Sequence, residues 1–338
     1  MPFIDDILKY KSLSIVGLEK NTGKTECLNY ILRRLKNSDK KIAVTSVGVD
    51  GESIDSVKHT HKPEIELFED VVFITSENFY KNKGLTSVIL DVSSKKTALG
   101  RLVTARSLSS GKIIFSGPSD THWLKSCIDG MERYQVDTTI VDGAVSRMSL
   151  ASPAVTECLI LTTGASVSAN LQQLVKRTRF AYDLIHIPKF RHDAVALLSG
   201  RGSGIWAIDA SGKVNPLRIP SVFLIDRHKE ELFRHGNTLY FTGAVSDKLL
   251  NFLKSQKNIG EIAVVAKDFT KLFVSPRVLQ EYKERGGKLF VLFSTKLIAV
   301  CVNPTSPEGY RLDSRMLRRA LSDELMVPVY DIVGENRQ

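Results

Sequence analysis

The chain has 338 residues, 43% of them hydrophobic, so it can bury a substantial core and is long enough for two domains. Its formal net charge is +10, but the basic residues are dispersed along the chain, so we expect no nucleic-acid role. The four cysteines form no Cys-x-x-Cys pair, the stretch MPFIDDILKYK has no long apolar core or small-residue cleavage site, and no apolar run of about 18 residues occurs. We therefore expect a reduced, cytoplasmic protein without a zinc knuckle, a disulfide framework or a membrane span.

The first strong feature in chain order is a strand, a glycine loop and a helix between Ser12 and Leu35. Leu13–Val16 is a short apolar run rich in β-favouring residues, and Gly17–Gly23 is a polar loop. From Leu28 onward, apolar residues recur at the spacing of one helix face. This order of elements is typical of a phosphate-binding loop.

In such a loop, main-chain N–H groups face an anion at the helix N-terminus. Lys24 would place a charge on the β- and γ-phosphate oxygens and stabilise the transferred phosphoryl group, and the Thr25 hydroxyl would ligate Mg²⁺. The residues that we assign to the nucleotide site are Gly17, Lys20, Asn21, Thr22, Gly23, Lys24 and Thr25. The motif departs from the usual spacing, because Gly17 stands six positions before Gly23. A loop that binds nucleotide without hydrolysing it, or a chance match, remains open.

A second candidate is the acidic stretch that follows the predicted strand Ile42–Val49. Ligands of open parallel sheets lie at the carboxyl ends of the strands. Asp50 is therefore assigned to the metal or to the attacking water, with Glu52 and Asp55 as weaker candidates. An acidic turn that caps a helix near Ser53 is the alternative.

Two further strands end in an acid. Thr138–Val141 leads to Asp142 and Gly143, which matches the strand-borne acid that orders Mg²⁺ in phosphate-loop proteins. Val88–Val92 contains Asp91 and competes for that role. We prefer Asp142, because the glycine after it leaves room for phosphate, and we assign it to metal binding and catalysis.

Strands and helices alternate up to about Ile187, which predicts an α/β fold of the P-loop NTPase type with a doubly wound, mainly parallel sheet. An exception within this part is Thr97–Arg106, which we interpret as a basic helix or loop. We divide the chain into a P-loop nucleotide-binding domain, residues 1–190, and a second, smaller C-terminal α/β region, residues 191–338, that docks a partner. Simple extension of the first sheet is the alternative for the C-terminal region.

Within the C-terminal region we predict a β-hairpin at Ile205–Pro220 and one strand from Leu289 to Val302. Helices are predicted at Pro276–Arg285 and Ser314–Leu325. This region contains no second phosphate loop and no metal-ligand spacing. The sequence therefore places the chemistry in the first domain.

Three stretches together resemble one protein family. They are GLEKNTGKTECLNYIL, TSVGVDGESID and VDGAVSRMSLASPAVTECLILTTGASVS. They resemble the P-loop subunit (KamB-type) of the lysine 5,6-aminomutase reactivase and, more distantly, dethiobiotin synthetase-like ATPases. The resemblance implies nucleotide at Gly17, Gly23, Lys24 and Thr25, with Asp50 and Asp142 in matching acidic motifs. It also implies a MutS-like ATPase partner and a role in restoring an adenosylcobalamin-dependent lysine 5,6-aminomutase during lysine fermentation.

Three functions are carried forward. The first is a Mg²⁺-dependent ATPase that acts as an accessory subunit of that reactivase. The second is a biosynthetic enzyme like dethiobiotin synthetase or cobyrinate amide synthetase, in which ATP activates a carboxylate. The third is a nucleotide-binding scaffold without hydrolysis. No Asn-Lys-x-Asp motif is present, which favours ATP over GTP, and the sequence leaves both a monomer and a homodimer open.

Overall fold

The computed structural model describes residues 3–48, 65–118, 120–143, 152–219 and 222–335. The chain forms two compact units. The first consists of Met1–Arg179 together with Thr295–Gln338, and the second consists of Phe180–Ser294. The predicted boundary at residues 190 and 191 differs from this division, because the end of the chain returns to the first unit.

The strands, in chain order, are β1 (Ser12–Gly17), β2 (Ile42–Ser46), β3 (Ile65–Leu67), β4 (Val72–Ser76), β5 (Ser87–Thr97), β6 (Gly100–Ser107), β7 (Gly111–Ile113), β8 (Thr138–Asp142), β9 (Cys158–Gly164), β10 (Ile205–Ile208), β11 (Val214–Leu217), β12 (Thr238–Phe241), β13 (Val245–Ser246), β14 (Ala263–Ala266), β15 (Leu272–Phe273), β16 (Lys288–Val291), β17 (Lys296–Asn303) and β18 (Val329–Asp331). The α-helices are α1 (Phe3–Ile7), α2 (Lys24–Leu35), α3 (Glu77–Lys81), α4 (Thr121–Asp129), α5 (Leu171–Ile185), α6 (Val195–Ser199), α7 (Lys229–Phe233), α8 (Asp247–Lys254), α9 (Pro276–Glu284), α10 (Ser314–Leu325) and α11 (Ile332–Glu335). None of these helices combines the length and apolar character that a membrane crossing requires.

The first unit is built on a nine-stranded sheet in the order β18-β17-β9-β1-β8-β2-β4-β6-β5. All neighbours from β18 to β4 pair in parallel. The β5–β6 hairpin then adds to β4 in the antiparallel sense. The predicted α/β class with a mainly parallel sheet is confirmed.

Helices cover both faces of this sheet. Ile140 of β8 belongs to the buried cluster that contains Leu28 and Ile31 of α2, whereas the next residue, Val141, packs with Leu124 of α4. Successive side chains of a strand point to opposite faces, so α2 and α4 lie on opposite sides. With both faces covered, the ends of the strands remain as the place where a ligand can approach.

The prediction for Thr97–Arg106 was wrong. This segment contains most of β6, which pairs with β4 on one side and with β5 on the other. Leu102, Val103 and Ala105 are buried there, because β6 is an internal strand. The basic residues suggested a solvated element, but strand pairing and burial of the apolar residues determine the local structure.

The predicted single strand Leu289–Val302 is in fact two strands of two different sheets. β16 joins the sheet of the second unit, and β17 joins the nine-stranded sheet between β18 and β9. A continuous apolar run fits any buried strand and does not show which sheet receives it. The same ambiguity explains the misplaced domain boundary, since β17 and β18 extend the first sheet.

The second unit contains a five-stranded sheet in the order β11-β10-β12-β14-β16. β10 and β11 form the predicted hairpin, and β12, β14 and β16 are parallel. The carboxylate of Asp209 accepts hydrogen bonds from the main-chain N–H groups of Ser211 and Lys213 and so closes the hairpin turn. Hydrogen bonds from the Ser211 hydroxyl and the Asn215 side-chain amide, together with these two, lower the pKa of Asp209 to about 2.

Candidate functional site

The glycine loop leaves the carboxyl end of β1 and enters α2. Asn21 has φ 60° and Gly23 has φ 92°, so the chain turns through the left-handed region twice before Lys24. A Cβ on Gly17 would lie 2.3 Å from the Thr22 hydroxyl and 2.9 Å from Lys24 Nζ. The loop therefore folds tightly back over its own first residue, and this close approach requires glycine there.

The N-terminus of α2 presents main-chain donors. The first hydrogen bond within the helix runs from the N–H of Cys27 to the carbonyl of Gly23, at 2.9 Å. The N–H groups that precede Cys27 at this end have no acceptor inside the helix. Together with the dipole of this twelve-residue helix, they favour an anion at this position.

Lys24 is the positive charge of the loop and is only 9% exposed. Its ammonium donates to the carbonyl of Glu19 at 3.4 Å, and within the described part of the chain no carboxylate lies at ion-pair distance from it. Burial lowers the pKa of Lys24, and the negative charge of Asp142 opposes that shift only in part. An anion beside this desolvated ammonium would stabilise its charged form.

Asp142 ends β8 and pairs in register with Ile15 of β1, one strand away. The Gly143 N–H donates to the Ile15 carbonyl at 3.0 Å, and a Cβ on Gly143 would lie 2.4 Å from that oxygen. The glycine after the acid therefore makes room for the main chain of β1, a reason that differs from the predicted one, which was room for phosphate.

Asp91 lies elsewhere. It sits within β5, four positions along the sheet from β8, which is roughly 19 Å at the usual strand spacing. Its carboxylate accepts a hydrogen bond from Arg133 Nη2 at 2.8 Å. Of these two acids, Asp142 is the one whose negative charge acts on Lys24.

Of the remaining predicted residues, some are described by the structure and others lie outside the described ranges. Thr25 stands in the first turn of α2 and is partly exposed, and Lys20 is on the exposed side of the loop. Asp50, with Glu52 and Asp55, lies outside the described residues, so its assignment stays a prediction. Among the residues that are described, His, Cys, Asp and Glu side chains form no metal-binding cluster of three. Of the three predicted metal ligands, the described residues include two, Thr25 with its hydroxyl and Asp142 with its carboxylate.

Three residues outside the predicted site hold the loop in place. The Thr162 hydroxyl of β9 lies 2.8 Å from that of Thr22. Arg177 of α5 pairs with the Glu19 carboxylate at 2.5 Å and also donates to the Val167 carbonyl. The third is Asn303 at the end of β17.

Thr162 and Asn303 had a sequence signal, since each is the first polar residue after an apolar run, and the strand Cys158–Thr162 was predicted to end beside the nucleotide. Asn303 follows the run that ends at Val302. Its side-chain amide donates to the Asn21 carbonyl at 3.0 Å. Glu19 and Arg177 are 158 residues apart, and no spacing rule connects them.

Comparison with protein-family models, with curated proteins and with solved structures finds no match to this chain. The observed fold therefore defines the class. It is a mixed α/β protein with a large, mostly parallel sheet, and the glycine loop joins β1 of that sheet to α2.

Proposed function

We propose that the chain binds the phosphates of ATP, together with Mg²⁺, at the loop between Gly17 and Thr25. The observation that carries this proposal is the buried ammonium of Lys24 at the N-terminus of α2. It faces a turn whose main-chain donors also favour an anion. A buried charge is unfavourable without an opposite charge beside it, and phosphate oxygens supply that charge.

The donor set fits Mg²⁺. Mg²⁺ prefers oxygen ligands and usually binds one or two protein side chains, water and the phosphates of its nucleotide. Thr25 and Asp142 offer one hydroxyl and one carboxylate, and Asp50 is proposed as a further acid. When bound, the metal would neutralise phosphate charge. Lys24 would hold the β- and γ-phosphates, so this chain would contribute positioning and electrostatic stabilisation to any hydrolysis.

We extend the proposal to an accessory role in the cytoplasm. The three family-like stretches favour a subunit that works with a MutS-like ATPase partner to reactivate a lysine 5,6-aminomutase with damaged adenosylcobalamin. One of those stretches contains the loop with Lys24, and another contains Asp142. The negative charge of Asp142 acts on Lys24 across the space between them. The client and the place in lysine degradation rest on the resemblance alone.

Binding of MgATP to the full chain, measured by isothermal titration calorimetry, tests the nucleotide site. Lys24→Ala should abolish binding, since it removes the buried charge. Lys36→Ala removes the same charge at the exposed, opposite end of α2 and should bind like the wild type. No binding by the wild type, or equal binding by Lys24→Ala, would overturn the assignment of the loop.

The accessory role needs a second assay. Steady-state ATP hydrolysis is measured for the chain alone and with the MutS-like partner and inactivated lysine 5,6-aminomutase. Stimulated turnover together with recovered mutase activity, both lost in Lys24→Ala, is the expected result. Tight MgATP binding without stimulation would contradict the reactivase role and would favour a carboxylate-activating enzyme or a silent scaffold.

A further inference from the structure

Asn303 ends β17 and reaches the glycine loop from two strands away, with β9 between β17 and β1. Its Nδ2 donates to the Asn21 carbonyl at 3.0 Å, and its Oδ1 accepts from the Thr305 N–H at 3.0 Å. Because the two ends of the amide have different partners, only one orientation of the side chain satisfies both.

The contact falls on the part of the loop with unusual main-chain conformation. Asn21 and Gly23 both have positive φ, a conformation that few residues other than glycine adopt and that asparagine adopts more readily than most. The Asn303 Cβ also lies 3.1 Å from the place where a Cβ of Gly23 would stand. Asn303 therefore holds the Asn21 carbonyl and packs against Gly23, on either side of Thr22.

The position of Asn303 is set independently of the loop. Its carbonyl accepts the N–H of Ala165 at 2.9 Å, just after β9. The Ala165 carbonyl in turn accepts the Tyr310 hydroxyl at 2.6 Å, which ties the segment after β17 to the same place. The loop is thus fastened to a support at the carboxyl ends of β9 and β17.

We propose that Asn303 is a positioning residue for the phosphate site: it keeps Asn21–Gly23 in the turn that aims the N–H groups of the loop at the anion. This inference rests on the proposed function. A loop that is ordered before the ligand arrives binds more tightly, because the entropy of ordering has already been lost. Removal of one such hydrogen bond should weaken the affinity about tenfold.

Two variants and one control test this role. Asn303→Ala removes both the amide and its bulk. Asn303→Leu keeps a side chain of similar shape without polar atoms or charge. Ser322→Ala is the control, since it removes one side-chain hydrogen bond, to the Val327 carbonyl just after α10, and leaves Asn303, Ala165 and Asn21 untouched.

The first readout is hydrogen–deuterium exchange of residues 17–25 in the ligand-free chain. The second is the dissociation constant for MgATP, and the third is the free energy of unfolding. We expect faster exchange of the loop and about tenfold weaker MgATP binding in Asn303→Ala and in Asn303→Leu. Their free energies of unfolding should change no more than that of Ser322→Ala, whose exchange and affinity should stay like the wild type.

Three outcomes would overturn the inference. Wild-type affinity and exchange in Asn303→Ala would show that the amide does not position the loop. Wild-type behaviour of Asn303→Leu alone would show that the side chain only fills space. Wild-type MgATP binding is measured before any substitution is made. If the wild type does not bind MgATP, the proposed function and the positioning role are both overturned. This outcome is distinct from the other two, which concern the variants.

Discussion

The hydroxyl of Thr22 lies 2.8 Å from that of Thr162, and both side chains are fully buried. Thr162 stands beside Gly17 in the β1–β9 register, and its hydroxyl lies 3.3 Å from the Val16 carbonyl. Thr22 in turn donates to the Glu19 carbonyl at 3.1 Å. A strand residue 140 positions away therefore fastens the middle of the glycine loop to the sheet.

Replacement of Thr162 by valine tests this link. Valine keeps the shape but removes the hydroxyl that Thr22 contacts, so we expect the free energy of unfolding to fall by about 1 kcal/mol. Thr162→Ser retains the hydroxyl and should keep the coupling to Thr22, as measured in a double-mutant cycle with Thr22→Val. If the coupling energy between positions 162 and 22 is the same with serine as with valine at position 162, the Thr162 hydroxyl does not fasten the loop, which would contradict this role.

Gly17→Ala should damage the loop. The added Cβ would come within 2.3 Å of the Thr22 hydroxyl and 2.9 Å of Lys24 Nζ, so at least one of them must move. We expect a loss of about 1–3 kcal/mol in stability and weaker MgATP binding. Gly130→Ala is the matched control, because nothing lies within 4 Å of its added Cβ and its φ is −66°. Urea denaturation measures the free energy of unfolding, and isothermal titration calorimetry measures the affinity for MgATP. Equal stability and affinity in the two variants would show that the loop tolerates the extra atom.

The lowered pKa of Lys24 predicts a pH dependence. The folded chain binds this proton less tightly than the unfolded chain, whose lysine keeps its ordinary pKa of 10.5. Burial of the charged form is thus destabilising below the folded-state pKa, and this penalty is lost as the pH rises through that value toward 10.5. Lys24→Met should be more stable than the wild type at neutral pH.

The stability gap between Lys24→Met and the wild type should narrow at alkaline pH, as followed by urea denaturation across this range. Saturating MgATP should flatten the dependence in the wild type, since an adjacent anion favours the ammonium. A gap that is independent of pH would contradict the desolvation of Lys24.

Thiol labelling separates the four cysteines. Cys27, Cys158 and Cys301 are buried, whereas Cys127 is partly exposed and should react first in the folded chain. Burial raises the pKa of Cys127 to about 11, so few thiolates exist near neutral pH. Its labelling rate should be slow and should rise about tenfold per pH unit up to that value. Cys127→Ser should remove the fast phase. A rapid reaction at pH 7 would contradict the burial of this thiol.

The sequence by itself determined the local features. The strand, glycine loop and helix from Ser12 to Leu35 have the predicted order, the bounds of α10 match the prediction, and β10 and β11 form the expected hairpin. Each of these depends on residues that are close together in the chain. Helical periodicity, capping residues and glycine in turns express such short-range preferences, so they can be identified without knowledge of the rest of the molecule.

The tertiary structure decided which distant residues meet at the loop. Thr162, Arg177 and Asn303 approach it only because β9 and β17 lie next to one another on one side of β1 and because α5 follows β9. Strand order also gives β6 its place and separates β16 from β17. Apolar runs of similar composition can enter any position of a sheet. The position that each run takes depends on the combined packing of the whole chain, and short-range patterns carry no information about that packing.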